Sequence, residues 1–142
     1  NGQVTSKGLM GFVHGGYWRA FDKSTWSHLA AGCLKQGWAV AMPSYPLAPE
    51  ANISEMTASI AKAINFAAGK VVGPICLSGH SAGGHLVSRM ACKDSLLTEA
   101  VRQRVKSVMS MSGLHDLRPL MNTAMNDDWE MDMAEAMAES PA

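Results

Sequence analysis

The sequence has 142 residues, 47% of them hydrophobic and 17% charged, and its 12 lysines and arginines balance its 12 acidic residues. This composition is typical of a globular protein and excludes a disordered chain, while the zero net charge argues against nucleic acid as a partner. No apolar run reaches the ~18 residues of a membrane helix, and three cysteines without C-x-x-C spacing indicate neither a disulfide framework nor a zinc site. We therefore expect a cytoplasmic protein without a membrane partner.

Short apolar runs alternate with amphipathic stretches along the chain. Strands are predicted at 9–13, 38–42, 71–77 and 105–111. Ser24 or Thr25 is predicted to cap a first helix that runs to about Gln36. Further helices are predicted to open at Asn52 or Ser54, to follow Gly84 and to cover about 129–138. Alternating strands and helices predict a three-layer α/β/α fold with a mainly parallel sheet, in which residues 1–142 belong to one domain.

The segment Gly79-His80-Ser81-Ala82-Gly83 fits the pattern G-x-S-x-G and lies between a predicted strand and a predicted helix. A serine nucleophile needs such a tight turn, because the strained backbone exposes its hydroxyl group, and the flanking glycines allow neighbouring backbone to approach. The positive end of the following helix favours negative charge near the serine. The alternative is an ordinary glycine-rich turn. We take Ser81 as the candidate catalytic nucleophile.

A second glycine motif, His14-Gly15-Gly16-Tyr17-Trp18, follows the first predicted strand. Acyl transfer through a serine needs backbone N–H groups that stabilise an oxyanion, and a glycine loop after an earlier strand supplies them together with the residue after the nucleophile. Gly15, Gly16 and Ala82 are therefore the candidate oxyanion hole. The alternative is a structural His-Gly-Gly turn, but two such turns at strand ends of one sheet favour a shared site.

Four segments together resemble the α/β-hydrolase superfamily, and most closely its kynurenine formamidase (arylformamidase)-like esterases. They are the two glycine motifs, the loop at 45–50 and the segment at 112–117. The resemblance runs from about Gly8 to Pro141, and it implies a truncated α/β-hydrolase fold with Ser81 as nucleophile and Gly15, Gly16 and Ala82 as oxyanion hole. It also implies that Tyr17 and Trp18 border the substrate pocket.

The resembling enzymes use a serine, an acid and a histidine in that chain order. After Ser81 the only histidines are His85, which lies one helical turn further on, and His115, which is followed directly by Asp116. We interpret His85 and His80 as packing residues and Asp116 as a loop-capping carboxylate. The acid and the base are therefore expected beyond Ala142, so that the chain is part of a longer protein and is itself a weak catalyst.

Two classes of function remain open from the sequence. The first is a serine hydrolase that acts on a small molecule, either an aryl formamide such as N-formylkynurenine or a short-chain carboxylic ester. The second is a hydrolase-fold domain without catalysis that only binds a ligand. No metal or organic cofactor is expected, because the sequence has neither a ligand cluster nor a phosphate-binding glycine loop. A homodimer is one option for the assembly.

The segment from Pro119 onward contains six acidic residues and no lysine or arginine. A run of like charge predicts a helix face in contact with water. Five methionines lie in the same segment, at 121, 125, 131, 133 and 137. They predict either core packing or a deformable wall beside a substrate pocket.

Overall fold

A computed structural model describes residues 5–141 of the chain. Its four strands form one parallel sheet in the order β2-β1-β3-β4. Their bounds are β1 Leu9–Val13, β2 Ala39–Ala41, β3 Ile75–His80 and β4 Val105–Met111. The helices are α1 Lys23–Trp26, α2 Ala30–Lys35, α3 Ile53–Lys70, α4 Ala82–Ala91, α5 Glu99–Arg102, α6 Asn126–Trp129 and α7 Met133–Ala138, with 3₁₀ helices at Ser27–Leu29 and Arg118–Asn122.

Helices cover both faces of the sheet, as the alternating pattern predicts. On one face, a side chain at Gly11 of β1 would contact Leu77 of β3 and Ile64 of α3. On the other face, the ring of Phe12 lies 6.2 Å from the ring of Trp26 in α1. Because successive residues of a strand point to opposite faces, these two contacts place α3 and α1 in different layers. The predicted α/β/α architecture is confirmed.

The register of the sheet brings the two glycine motifs together. In the parallel pair of β1 and β3, Val13 lies opposite Gly79, so both strands end at the same level. The chain leaves each strand there and enters a glycine-containing turn. Since carboxyl ends of parallel strands share one edge of the sheet, this edge carries the candidate site.

Several predicted bounds are wrong, and local chemistry explains the differences. The first helix is capped by Asp22, two residues before the earlier of the two predicted caps, because its carboxylate accepts from the Ser24 N–H, and a 3₁₀ turn then interrupts the helix. Strand β3 begins at Ile75, after Pro74, which has no N–H to donate to the sheet. The predicted helix from Trp129 is broken at Glu130, whose φ of 49° is left-handed.

The structure divides the acidic segment into exposed and paired residues. Asp127 and Glu130 are exposed as predicted. Glu139, however, is 6% exposed and forms an ion pair with Arg89 of α4 at 3.2 Å, so the prediction of a solvated face is wrong at that position. Met131 is buried and Met121 and Met125 pack against the core, whereas Met133 and Met137 are exposed.

Within residues 5–141, no helix has both the length and the apolar character needed to cross a membrane.

Candidate active site

Ser81 lies between the last residue of β3 and the first residue of α4, with φ 55° and ψ −119°. Few residues with a Cβ atom adopt this conformation, and residues so strained concentrate at functional sites. The backbone angles of Ser81 therefore confirm the predicted sharp turn between strand and helix. The turn is held by two backbone hydrogen bonds, from the Ser81 N–H to Met111 O at 2.8 Å and from the His85 N–H to Ser81 O at 3.0 Å.

The glycines on either side of Ser81 allow neighbouring backbone to come unusually close. A Cβ atom on Gly83 would collide with the carbonyl oxygens of Val13 and His14, and one on Gly79 would collide with the carbonyl of Gly83. The start of α4 is thus packed directly against the end of β1. This close packing brings the loop after β1 to the serine.

The segment 14–22 after β1, called the glycine loop below, lies beside Ser81. A Cβ atom on Gly15 would lie 2.7 Å from His80 O and 3.1 Å from the Ser81 Cβ. The predicted proximity of the two motifs is confirmed. Among residues 5–141, no acceptor receives a hydrogen bond from the backbone N–H of Gly15 or Gly16. Both N–H groups are therefore unpaired within the described part of the chain.

Ala82 supplies a third backbone N–H group of this kind. It is the first residue of α4, where N–H groups have no partner within the helix, and no side chain caps this end. The ten-residue helix also directs its positive end at the serine. The Ala82 N–H group directly follows Ser81 in the chain and the glycine loop packs against Ser81, so the residues predicted to form the oxyanion hole lie close to the serine.

The structure separates the two aromatic residues that were predicted to border a pocket. Tyr17 is 53% exposed, but Trp18 is 0% exposed, and its ring packs edge-on against His85 and Trp129 at 5.3 Å in both cases. Trp18 is a core residue that anchors the glycine loop, and the prediction that it lines a substrate pocket is wrong. The signal missed was that a tryptophan side chain offers a large apolar area for core packing.

His85 lies inside the core behind Ser81, where it was predicted to pack. Its Nε2 donates to the backbone oxygen of Glu139 at 2.7 Å, and this acceptor requires the proton on Nε2. Burial lowers the pKa of His85 to about 4, although the carbonyl and carboxylate of Glu139 oppose the shift; Arg89 and His115 lower it further. His85 is therefore neutral at pH 7.

We expect the free energy of unfolding to fall as the pH drops from 6.5 to 4. In the unfolded chain His85 gains a proton near its ordinary pKa of 6.5, whereas in the folded chain it stays neutral down to about 4. The resulting loss is about 3 kcal/mol and should be absent in His85→Gln, whose amide still donates to Glu139. Urea unfolding of both proteins across this range measures the difference. Parallel pH profiles would contradict the assignment.

The remaining candidates for an acid and a base form hydrogen bonds with residues other than Ser81. His115 Nε2 is 3.1 Å from the hydroxyl oxygens of Ser88 and Ser110. Asp116 accepts from the backbone and side chain of Arg118, and these hydrogen bonds lower the pKa of its carboxyl group to about 2. Asp116 is thus the predicted loop cap. Within the described residues, no histidine hydrogen-bonds to the Ser81 hydroxyl group, and no cluster could hold a metal ion.

The sequence analysis did not identify Tyr45 as a residue that contacts the glycine loop at His14. The hydroxyl group of Tyr45 donates to His14 O at 2.9 Å, and the two rings stack with centroids 4.5 Å apart. Burial raises the pKa of Tyr45, so its proton remains in place to donate. The loop at 45–50 was one of the four segments that carried the resemblance, and this contact shows its structural use.

Comparisons with known proteins support the fold described above. A profile of the BD-FAE family matches residues 3–141. The kynurenine formamidase of Danio rerio is 27% identical over 136 residues, which cover 94% of this chain and 46% of the relative. The structure of a provisionally assigned thioesterase from Silicibacter sp. TM1040 is 58% identical with a TM-score of 0.93, covering 97% of this chain and 52% of that one. Esterase 2 of Thermogutta terrifontis, phosphoramylated by tabun, shares the fold at 15% identity and a TM-score of 0.73, with coverages of 96% and 54%. The chain spans about half the length of these relatives.

Proposed function

Because the chain belongs to the BD-FAE family, an α/β-hydrolase family related to the kynurenine formamidases, we propose that its protein is a serine hydrolase. Its substrate is an aryl formamide such as N-formylkynurenine, and it also accepts small activated aryl esters. The observation that carries the proposal is the position of Ser81 on a strained turn beside Gly15 and Gly16, whose N–H groups have no partner within residues 5–141.

In the proposed reaction, the Ser81 hydroxyl oxygen attacks the formyl carbon while its proton passes to a histidine base outside residues 5–141. The carbonyl oxygen becomes an oxyanion, which accepts from the N–H groups of Gly15, Gly16 and Ala82. Collapse breaks the C–N bond, and the aryl nitrogen leaves with a proton from the base. Water then hydrolyses the formyl ester of Ser81, which releases formate and restores the serine.

The substrate class follows from the two sides of the scissile bond. A formyl group is unhindered, so it needs little space on the acyl side. The exposed ring of Tyr17 on the glycine loop is suited to stack on a flat aryl leaving group. An aryl nitrogen is also expelled more readily than an alkyl amine. We therefore place substrate selectivity on the leaving-group side, with Tyr17 as its main contact.

A short-chain ester or a thioester is the second candidate substrate. The similarity to the provisionally assigned thioesterase favours it, because that chain is 58% identical where the kynurenine formamidase is 27% identical. The same acyl-serine chemistry would serve both substrates. A binding domain without catalysis is disfavoured, since it has no need for a strained serine beside free backbone donors.

We expect the full-length protein to have a kcat/KM for N-formylkynurenine at least ~10-fold above that for ethyl butyrate. The expected effect of Tyr17→Ala is a drop of about 3- to 10-fold for N-formylkynurenine, the range of one lost aromatic contact, with the aliphatic ester changed less than about 2-fold. Steady-state kinetics with both substrates, and with butyryl-coenzyme A as the thioester, test this.

Leu29→Ala serves as the matched control, because Leu29 is a similarly exposed apolar residue outside the glycine loop. It should leave the ratio of the two kcat/KM values unchanged. A preference for the aliphatic ester or the thioester, or an equal effect of Tyr17→Ala on all substrates, would replace the formamidase assignment by the second candidate.

A further inference from the structure

The backbone of the glycine loop is held in a conformation that its own residues disfavour. Gly16, Tyr17, Trp18 and Phe21 have φ angles of 122°, 51°, 57° and 73°. Glycine adopts such angles freely, but three aromatic residues do not, because their Cβ atoms crowd the backbone. Contacts from other parts of the chain must therefore stabilise this loop.

Helix α6 provides such contacts to three successive residues of the loop. The indole N–H of Trp129 donates to Tyr17 O at 3.2 Å, and its ring packs edge-on against Trp18 at 5.3 Å. Asp128, the preceding residue, forms an ion pair with Arg19 at 2.7 Å. The loop and the helix are more than 100 residues apart in sequence, so the contact is a tertiary one.

The hydrogen bond from Trp129 is a specific feature of this interface. Trp18 and Trp129 are both buried and in mutual contact, yet the Trp18 indole N–H has no partner within the described residues, whereas that of Trp129 meets the Tyr17 carbonyl. Packing of the two rings would not by itself require that alignment. The bond thus fixes the direction of one peptide group in the loop.

This peptide group lies two peptide planes after the one that carries the Gly16 N–H group. The Gly16 carbonyl accepts from the N–H groups of Arg19 and Ala20 at 3.0 and 3.1 Å, and the next carbonyl, that of Tyr17, accepts from Trp129. Two successive peptide planes are therefore fixed. The Gly16 N–H group belongs to the peptide plane just before these two, so fixing them anchors the chain on one side of that group and limits where it can point.

We propose that Asp128 and Trp129 are positioning residues that hold the glycine loop in the orientation needed for the oxyanion hole. This inference rests on the function proposed above. Neither residue touches the substrate; they act through Arg19, Tyr17 and Trp18. Two residues of the acidic segment from Pro119 onward would thus support catalysis, because stabilisation of the oxyanion depends on the direction of the N–H donors.

The test uses the full-length protein with p-nitrophenyl acetate as the probe. Trp129→Phe keeps an aromatic ring but removes the N–H group, and it should lower kcat about 10-fold with KM within about 2-fold, less than the loss of a whole oxyanion donor. The affinity for an aryl trifluoromethyl ketone, which forms a tetrahedral adduct with the serine, should fall by the same factor. Asp128→Asn should lower kcat about 3-fold, as expected for a surface ion pair.

Asp127→Asn is the matched control, since Asp127 is the neighbouring acid of α6, is exposed and forms no ion pair within residues 5–141. It should leave kcat unchanged. Titration of reactive serines with a fluorophosphonate counts the folded active sites, so a slower reaction at each site can be told apart from a loss of folded protein.

If Trp129→Phe folds and keeps kcat, or loses activity only in proportion to its titratable sites, the inference is wrong. If Trp129→Phe does not fold, an unchanged kcat in Asp128→Asn overturns it. An inactive wild-type protein would instead contradict the proposed function.

Discussion

Replacing Ser81 with alanine is expected to lower kcat of the full-length protein by at least ~10⁴-fold for every substrate that it cleaves. Alanine leaves the oxyanion hole and the substrate contacts in place but removes the atom that forms the acyl intermediate, and loss of the nucleophile is the largest single effect in serine hydrolases. The fold should be retained, because Ala and Ser meet the same backbone strain at φ 55°. Steady-state kinetics and thermal unfolding of both proteins check this.

A fluorophosphonate probe makes the same test independent of the substrate. The Ser81 oxygen would form a bond to phosphorus while fluoride leaves, and mass spectrometry of the digested protein should place the label on the peptide that contains Ser81. Ser27→Ala is the control, because Ser27 is an exposed serine of the 3₁₀ helix that lies outside the glycine loop and the strand-to-helix turn. Labelling that survives in Ser81→Ala, or activity within about 10-fold of wild type, would exclude Ser81 as the nucleophile.

The local geometry of the site was predictable because short segments determine it. Strands β1 and β4 have the bounds that their apolar runs predict, and parallel pairing then brings the ends of β1 and β3 to one edge. Glycines at 79, 83 and 15 are needed for backbone contacts within a few residues of those strand ends. The glycines that allow these close contacts are part of the motifs themselves, so the motifs alone predict the turn. The catalytic role of Ser81 remains a prediction.

The long-range contacts of the site were not predictable from the same patterns. The family resemblance implied that Trp18 borders a pocket, but its ring is buried against Trp129, which is distant in sequence. Glu139 was expected to be solvated, but Arg89 and the hydroxyl group of Thr57 bind it inside the core. Helix α5 is only four residues long, which is too short for a periodic signal. Composition and periodicity carry no information about such pairings.

The second large effect is expected for stability. Gly83→Ala should lower the free energy of unfolding by more than ~4 kcal/mol, because its Cβ atom would collide with the main-chain oxygens of Val13 and His14. Neither partner can rotate away, as a flexible side chain could. Gly83 is a helical residue without a positive φ, so conformational strain does not contribute. Urea unfolding of the full-length protein measures the change.

Gly32→Ala is the matched control and should change stability in the opposite direction. Gly32 is an exposed helical residue of α2, and its added Cβ atom would have no neighbour within 4 Å. Alanine there should raise the free energy of unfolding by about 0.5–1 kcal/mol, the ordinary difference between the two residues in a helix. Gly83 and Gly32 are both helical residues without a positive φ. The difference between the stability changes of the two variants therefore measures the contact between α4 and the end of β1. If both substitutions stabilise the protein, α4 does not lie against β1, and the oxyanion donors are not where the mechanism requires them.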